Sequence, residues 1–282
     1  MQLHHMVGLG FVAAFVGAGS FAAYGEANYY WVGGGSGLYS EPSNWRIGSL
    51  DGEPATTCPG AEDTVKQPIE TSGSVWRWDL GGRAHEVRTL SFTDNWEVND
   101  TYAFSNGTLA VTTEARFLQK AAIEVSNGAR LVFYGTAEFG TNYNAGNNRC
   151  KVTVGAGGTV EIRASNFLPR CVEFDIAEGG SWLYGSDAVL QNCNKNFLLL
   201  VDNRGTATFE NGLCSFSNTW SAPWRIRQLA GTMVWGGRFR PPEQPLLPDR
   251  ADRRQGVRDW RRVVRVRSGE GQLLHVLRRR RP

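Results

Sequence analysis

The chain has 282 residues, which is enough for one large domain or two ordinary ones. Aromatic residues make up 11% of it and include ten tryptophans, which excludes general disorder, and 34 glycines with only 20% charged residues argue against a helix-rich fold. Residues 1–237 hold 16 basic and 22 acidic side chains, whereas residues 238–282 hold 14 arginines, no lysine and 5 acids. We therefore expect an acidic globular body and a chemically different tail.

The chain begins with an apolar segment, residues 6–23, and no acidic residue precedes Glu26. This pattern is typical of a secretory signal peptide, and it assigns residues 1–27 to a removable leader. The segment lacks a preceding Lys or Arg, and its length leaves an uncleaved membrane anchor as the alternative. We expect export to the cell surface or the medium, with no membrane span after cleavage.

A short motif, Gly-Thr or Gly-Ser followed by two alternating apolar positions, recurs along the body. Its clearest copies begin at Gly107, Gly158, Gly180, Gly205 and Gly231. Period-2 alternation bounded by Gly and Asn predicts strands and turns, and no helical period competes between residues 100 and 237. Units of roughly 21–30 residues predict an all-β, single-stranded parallel β-solenoid, whose coils bury their apolar sides on one another. An antiparallel sandwich is the alternative.

Four of the five cysteines are almost evenly spaced along the chain: Cys150, Cys171, Cys193 and Cys214. Even spacing places equivalent residues on successive coils, about 4.8 Å apart, so we expect these cysteines along one side of the solenoid. Three interpretations stay open: stacked buried thiols, disulfides between adjacent coils, or a redox centre. The fifth, Cys58, makes the count odd, so at least one thiol is unpaired or bonded to another molecule.

Residues 28–98 carry a tryptophan- and glycine-rich opening. Its landmarks are Trp31, Gly33-Gly34-Gly35, Asn44-Trp45, Gly60-Ala-Glu-Asp63-Thr-Val65 and Leu90-Ser-Phe92. This opening resembles the first module of exported bacterial β-helix proteins related to autotransporter passengers and autotransporter-associated β-strand repeats. The resemblance implies a right-handed, pectin-lyase-like β-helix at the bacterial outer surface. It implies no active site, because such folds carry adhesins, spacers and enzymes alike.

The domain organisation follows from the repeat and the opening. We assign residues 28–98 to an N-terminal cap with the first coils and residues 99–237 to the β-solenoid repeats. Trp31 and Trp45 flank the glycine-rich turn and are suited to closing the exposed edge of the first coil. A platform on which sugars stack is the alternative for these two tryptophans.

Two acids on one predicted strand are the candidate catalytic residues. Glu173 and Asp175 alternate with apolar residues, so both carboxylates should point outward from the same strand. Lys151 precedes Glu173 by one repeat length, which places it one coil earlier. By analogy with polysaccharide lyases, such acids could bind Ca²⁺ and a basic residue could accept a proton. A solvated strand face with a stacked cation and anion is the alternative.

The tail, residues 238–282, departs from the repeat directly after Gly237. Its arginine-rich composition has three explanations: a basic arm for anionic partners, a disordered tail, or a frameshifted reading of the gene. A frameshift would mean that the chain is the truncated start of a longer solenoid. We expect an unstructured segment and no nucleic-acid partner.

The function predicted from these features is structural or adhesive, at the cell surface or in an extracellular matrix. Residues 28–237 contain one histidine, His85, and no nucleophile motif, so they do not supply the groups that acid–base or metal catalysis requires, and we expect no cofactor and no metal. Surface polysaccharide or another matrix component is the expected partner. A polysaccharide-active lyase or hydrolase is the competing prediction.

Overall fold

The structure is a computed structural model that describes ten stretches of the chain. They are residues 26–34, 37–67, 75–92, 100–117, 120–140, 149–185, 198–210, 224–235, 264–267 and 273–276. The apolar segment of the predicted leader lies outside the described residues. Within these ten stretches, no helix is long and apolar enough to cross a membrane.

The described residues form β-strands, joined by turns and one short 3-10 helix at Pro42–Asn44. The strands are β1 Asn28–Trp31, β2 Gly37–Leu38, β3 Trp45–Ile47, β4 Glu53–Pro54, β5 Thr64–Lys66, β6 Val75–Phe92, β7 Thr101–Phe117, β8 Ala122–Val125, β9 Ala129–Phe133, β10 Thr136–Phe139, β11 Cys150–Val154, β12 Thr159–Ile162, β13 Asn166–Pro169, β14 Cys171–Ile176, β15 Ser181–Tyr184, β16 Leu198–Asn203, β17 Thr206–Phe209, β18 Trp224–Gln228, β19 Thr232–Trp235, β20 Val264–Arg267 and β21 Leu273–Val276.

Strands of successive coils stack in parallel and form three faces of a solenoid of about five turns. Face A contains the first part of β6 and of β7, then β8, β11, β14, β16 and β18. Face B contains the middle of β6 and of β7, then β9, β12, β15, β17 and β19. Face C contains β1, β5, the ends of β6 and β7, β10 and β13. Each coil, called a rung below, passes from face A to B to C.

The predicted parallel β-solenoid is confirmed, and the alternative of an antiparallel sandwich is wrong. Every pairing between rungs that the described residues make is parallel, and the described part of the body contains no α-helix. The step from rung to rung is uneven. Thr101 pairs with Ala122, and Ala122 pairs with Lys151, so the second step along the chain is longer than the first. Both steps lie within the range that the repeat predicts.

Columns of aromatic side chains fill the interior along the solenoid axis. On face C, Phe92, Phe117 and Phe139 occupy equivalent positions on three rungs, and neighbouring ring centroids are 5.3 and 5.0 Å apart. None of the three is more than 1% exposed. Burial of each such side chain contributes about 1.5–3 kcal/mol, so the interior column is a main source of rung-to-rung cohesion.

The repeated Gly-Thr and Gly-Ser pairs mark the corner between faces A and B. A Cβ atom at Gly158 would lie 2.0 Å from the Val125 carbonyl oxygen, and one at Gly180 would lie 2.2 Å from that of Val154. Any side chain at these positions would push the corner away from the rung beneath it. The motif visible in the sequence therefore reflects the close stacking of corners.

The N-terminal cap closes one end of the solenoid. Strand β1 pairs antiparallel with β3, which pairs antiparallel with β4, so the parallel edge of β5 is covered. Trp31 and Trp45 are fully buried, with ring centroids 4.9 Å apart, and the Trp45 Nε1–H donates to the Tyr39 carbonyl oxygen at 2.8 Å. The predicted cap is confirmed. The sugar-stacking platform is wrong, because neither ring is accessible to a ligand.

The expectation that the spaced cysteines share one side is wrong for the two that the structure describes. Cys150 pairs with Val172, so Cys171 is one residue out of step. Cys150 joins the interior cluster of apolar side chains, whereas Cys171 is buried in a separate small cluster, and both thiols are free. The partner of Cys150 on the next rung is Val172, one residue beyond Cys171. Because side chains alternate between the two sides of a strand, this difference of one residue turns Cys171 to the opposite side of the sheet. Cys193 and Cys214 lie outside the described residues.

The tail differs in one place from the expectation of an unstructured segment over residues 238–282. Strands β20 and β21 pair antiparallel with each other in a sheet separate from the solenoid. The alternation of Val and Arg in β20, followed in the sequence by Gly269 and Gly271, is a hairpin pattern that the overall arginine content obscures. The other residues from 236 to 282 lie outside the described stretches, and the origin of the tail stays a prediction.

The corner glycines generate a prediction about stability. Gly180→Ala would place a methyl group 2.2 Å from the Val154 carbonyl oxygen. Such overpacking should lower the free energy of unfolding by about 1–3 kcal/mol, measured by thermal or urea unfolding followed by circular dichroism. Gly60→Ala is the matched control, because the nearest atom to its new methyl group is 3.7 Å away. Equal stability of the two variants would contradict the close stacking of corners.

Candidate functional site

Strand β14 places Glu173 and Asp175 on the outer side of face A, as predicted. Their neighbours Val172, Phe174 and Ile176 are buried in the interior, so the alternation along the strand turns both carboxylates outward. The two acids are partly buried rather than fully exposed. The candidate site is therefore built on a regular strand that is fixed by its inward side chains.

Lys151 lies directly beneath Glu173 on the preceding rung. The two residues are register partners between β11 and β14, which confirms the predicted spacing of one rung. The ion pair of Glu173, however, is made with Arg149, whose Nη1 donates to Oε2 at 3.1 Å. Arg149 is not among the residues that the sequence pattern predicted for this site. The available signal was its position two residues before Lys151, which gives it the same outward direction.

The second candidate acid, Asp175, is paired with an arginine from the rung above. Arg204 donates to Oδ1 of Asp175 from the corner that follows β16. The same relation recurs one rung higher, where Arg227 donates from Nε to Oδ1 of Asp202 at 2.5 Å. Face A therefore carries a series of carboxylates, each bound by an arginine from a neighbouring rung.

The outer side of face B carries a longer chain of charges, centred on Glu161. Arg130, one rung below, donates to Oε1 of Glu161 at 2.6 Å, and Arg163 on the same rung donates to Oε2 at 3.4 Å. Arg163 also donates to Oε2 of Glu210 at 2.8 Å, two rungs higher. The side chain of Arg163 crosses the intervening rung at Gly185, where a Cβ atom would lie 2.8 Å from its Cδ. The absence of a side chain at Gly185 thus makes the long bridge possible.

Face C repeats this arrangement at Glu138. Arg116 on the rung below donates to Oε2 of Glu138 at 3.1 Å, and Arg170, after the strand of the rung above, donates to Oε1 at 2.5 Å. Glu138 is only 7% exposed although its side chain points away from the interior column. The two arginines therefore cover the carboxylate and compensate its charge.

The electrostatics of Glu161 follow from its surroundings. Burial raises the pKa of the Glu161 carboxyl, but hydrogen bonds and charges from Arg130 and Arg163 outweigh this effect, so its pKa lies below the ordinary value of 4.5. The hydrogen bond to Glu161 also raises the pKa of Arg130. Glu161 is therefore an anion at neutral pH and is suited to a structural ion pair.

The other residues considered for chemistry lie apart from these acids. His85 belongs to β6 at the N-terminal end, where its ring contacts that of Tyr39 with centroids 4.4 Å apart and its Nε2 is 3.0 Å from the Leu80 carbonyl oxygen. Burial raises the pKa of the Cys150 and Cys171 thiols, which disfavours the reactive thiolate that a redox centre needs. The described residues contain no group of three or more His, Cys, Asp or Glu side chains that could hold a metal ion. That no metal or cofactor is needed stays a prediction.

Comparisons with known proteins give no further guide to the site. No protein-family model, no curated protein and no solved structure matches the chain. The resemblance of the N-terminal module to autotransporter passengers therefore stays a prediction from the sequence.

The ion pairs of Glu161 predict how stability depends on pH. Because its pKa is lower in the folded protein than in the unfolded chain, the carboxylate contributes stability above the unfolded value, and this contribution is lost as pH falls through the folded value. We expect Glu161→Gln to lower the free energy of unfolding by about 1–3 kcal/mol at pH 7 and by much less at acid pH. Urea unfolding at several pH values measures this difference, with the exposed Glu124→Gln as the matched control. A deficit in Glu161→Gln that does not shrink toward low pH would contradict the assigned pairing.

The bridge over Gly185 gives a second prediction. Gly185→Ala should displace the Arg163 side chain and weaken its bond to Glu210 while leaving the contact with Glu161, on the same rung, within reach. In a double-mutant cycle, the coupling between Arg163→Gln and Glu210→Gln should be about 0.2–1 kcal/mol in the parent chain and near zero in the Gly185→Ala background. An unchanged coupling energy would show that the bridge does not depend on the missing side chain.

Proposed function

We propose that this protein is an exported β-solenoid of the cell surface or extracellular matrix with a structural or adhesive role. The observation that carries the proposal is the use of the outward acids. Glu138, Glu161, Glu173, Asp175 and Asp202 each accept a hydrogen bond from an arginine of a neighbouring rung. Side chains in such pairs hold rungs together, and this use competes with proton transfer or cation binding.

The mechanical consequence supports a role as a spacer or presenting stalk. In a solenoid each rung contacts only its neighbours, so stability is approximately a sum over rung interfaces. Here the middle rungs combine interior aromatic stacking with ion pairs on the outside, and the N-terminal end is closed by the tryptophan cap. These features suit an elongated body that keeps its form outside the cell.

Export and the class of partner rest on the sequence. The apolar leader and the passenger-like opening support secretion to a bacterial surface, with the protein related to autotransporter passengers. The body carries 16 basic and 22 acidic side chains, which disfavours binding to the phosphates of nucleic acids. Surface polysaccharide or another matrix component is the partner that we propose.

A polysaccharide-active enzyme is the second candidate, and one observation favours it. Lys151 is exposed and is the register partner of Glu173, so a base and an acid meet at one point of face A. A lyase would need the lysine to accept a proton from the sugar ring and the neighbouring carboxylates to hold a cation. The pairing of Glu173 with Arg149 and of Asp175 with Arg204 opposes the second requirement.

The two candidates differ in a turnover assay. We expect the purified protein, incubated with acidic and neutral polysaccharides with and without Ca²⁺, to release neither unsaturated nor reducing ends, because the acids are engaged by arginine. Ultraviolet absorbance and a reducing-sugar assay measure these products, and sedimentation with insoluble polysaccharide measures binding. Product formation that is abolished in the folded variant Lys151→Ala would overturn the structural and adhesive proposal in favour of the enzyme.

A further inference from the structure

The outward positions within strands β15, β17 and β19 of face B carry no charged side chain, and Glu210 follows directly after β17. Two rows of side chains run along the solenoid axis there, and in each row the residues are register partners. The first row is Ser181, Thr206 and Thr232, and the second is Leu183, Thr208 and Val234. All six are at least partly exposed, whereas Trp182 and Ala207 between them are buried in the interior. We call these six residues the neutral strip.

Charge distinguishes the neutral strip from the outer side of face A. On the same rungs, face A carries Glu173, Asp175, Asp202 and Arg227 in its outward positions. The charged chain of face B ends beside the strip, where Arg163 reaches Glu210. A polyanion or a polycation has no counter-charge to meet on the strip, so its chemistry selects an uncharged ligand.

The dimensions of the strip exclude a large partner. Rungs are about 4.8 Å apart and the two rows are two residues apart along the strand, so the strip measures roughly 10 by 7 Å between outermost positions. A stable protein interface buries about 800 Å² on each partner, far more than this strip provides. A narrow chain that runs along the solenoid axis fits the strip, whereas a second copy of the protein or a globular partner does not.

The side chains themselves indicate the class of chain. The first row offers one hydroxyl on every rung, which can both donate and accept hydrogen bonds, and the second row offers Leu183, Val234 and a threonine methyl group. Sugars combine hydroxyl groups with apolar C–H faces in the same way. We infer that the neutral strip binds a neutral polysaccharide chain lying along the solenoid axis. This inference rests on the proposed adhesive function and names the ligand class and the surface.

The experiment compares the full chain with two matched variants. Thr206→Glu places a charge at the centre of the strip, whereas Thr108→Glu makes the same change in the same outward position of face B four rungs earlier, beside Arg130. The probes are dextran and a soluble mixed-linkage β-glucan, both neutral, and polygalacturonate, which is acidic. Affinity electrophoresis measures binding at low and high salt, and thermal unfolding verifies that each variant is folded.

The expected result is that at least one neutral probe binds the parent chain at both salt concentrations. Thr206→Glu should weaken this binding about tenfold or more, and Thr108→Glu should leave it within about twofold.

Neutral-probe binding that both variants retain would overturn the assigned surface while leaving the adhesive function intact. Binding of polygalacturonate alone, lost at high salt, would overturn the neutral ligand class and indicate the charged faces. Binding of no probe would overturn this inference while leaving the proposed function with a different matrix component as its partner. A concentration-dependent dimer that Thr206→Glu abolishes, without sugar binding, would assign the strip to a second copy.

Discussion

Stacking of rungs at the spacing of β-strands is the constraint on which this structure depends. Each side chain has register partners about 4.8 Å above and below it, so a position must accommodate the side chains directly over and under it. Inside, Phe92, Phe117 and Phe139 meet this condition because their rings pack face to face or at an incline, with 57° between the planes of the first pair and 28° between those of the second. At two corners between faces A and B, glycine meets it: at Gly158 and Gly180 the rung beneath leaves no room for a Cβ atom.

On the outside the same constraint governs charge. Like charges stacked at this distance would repel, and arginines offset this repulsion: Asp175 and Asp202 are register partners, and each accepts a hydrogen bond from an arginine of the rung above. Glu138 lies between two arginines from the rungs below and above, and Glu161 accepts from one arginine below and one on its own rung. The outer charges thus join rungs that the interior already holds. This use of acids is the physical basis for preferring a structural or adhesive role over catalysis.

The distribution of charge over the faces then bears on binding. Faces A and C and the first rungs of face B carry ion pairs, whereas the end of face B presents hydroxyl and apolar groups in two parallel rows. A solenoid makes such specialisation easy, because each face repeats the same strand position on every rung. A narrow neutral strip beside charged surfaces gives a polymer one surface along which to bind. The charged surfaces contribute to the stability of the stacked rungs.

The sequence by itself determined the class of fold and the direction of the candidate side chains. The Gly-Thr repeat and the period-2 alternation indicated parallel rungs because every rung repeats the same corner and the same inward and outward strand positions, and the repeat length placed Lys151 under Glu173. Only the tertiary structure decided the register elsewhere. The number of residues from one rung to the next varies along the chain. Because of this variation, Cys171 does not occupy the position equivalent to Cys150 that even spacing predicted. It also decided the partners of the acids, because an arginine joined to a carboxylate two rungs away, as Arg163 is to Glu210, leaves no trace in local pattern.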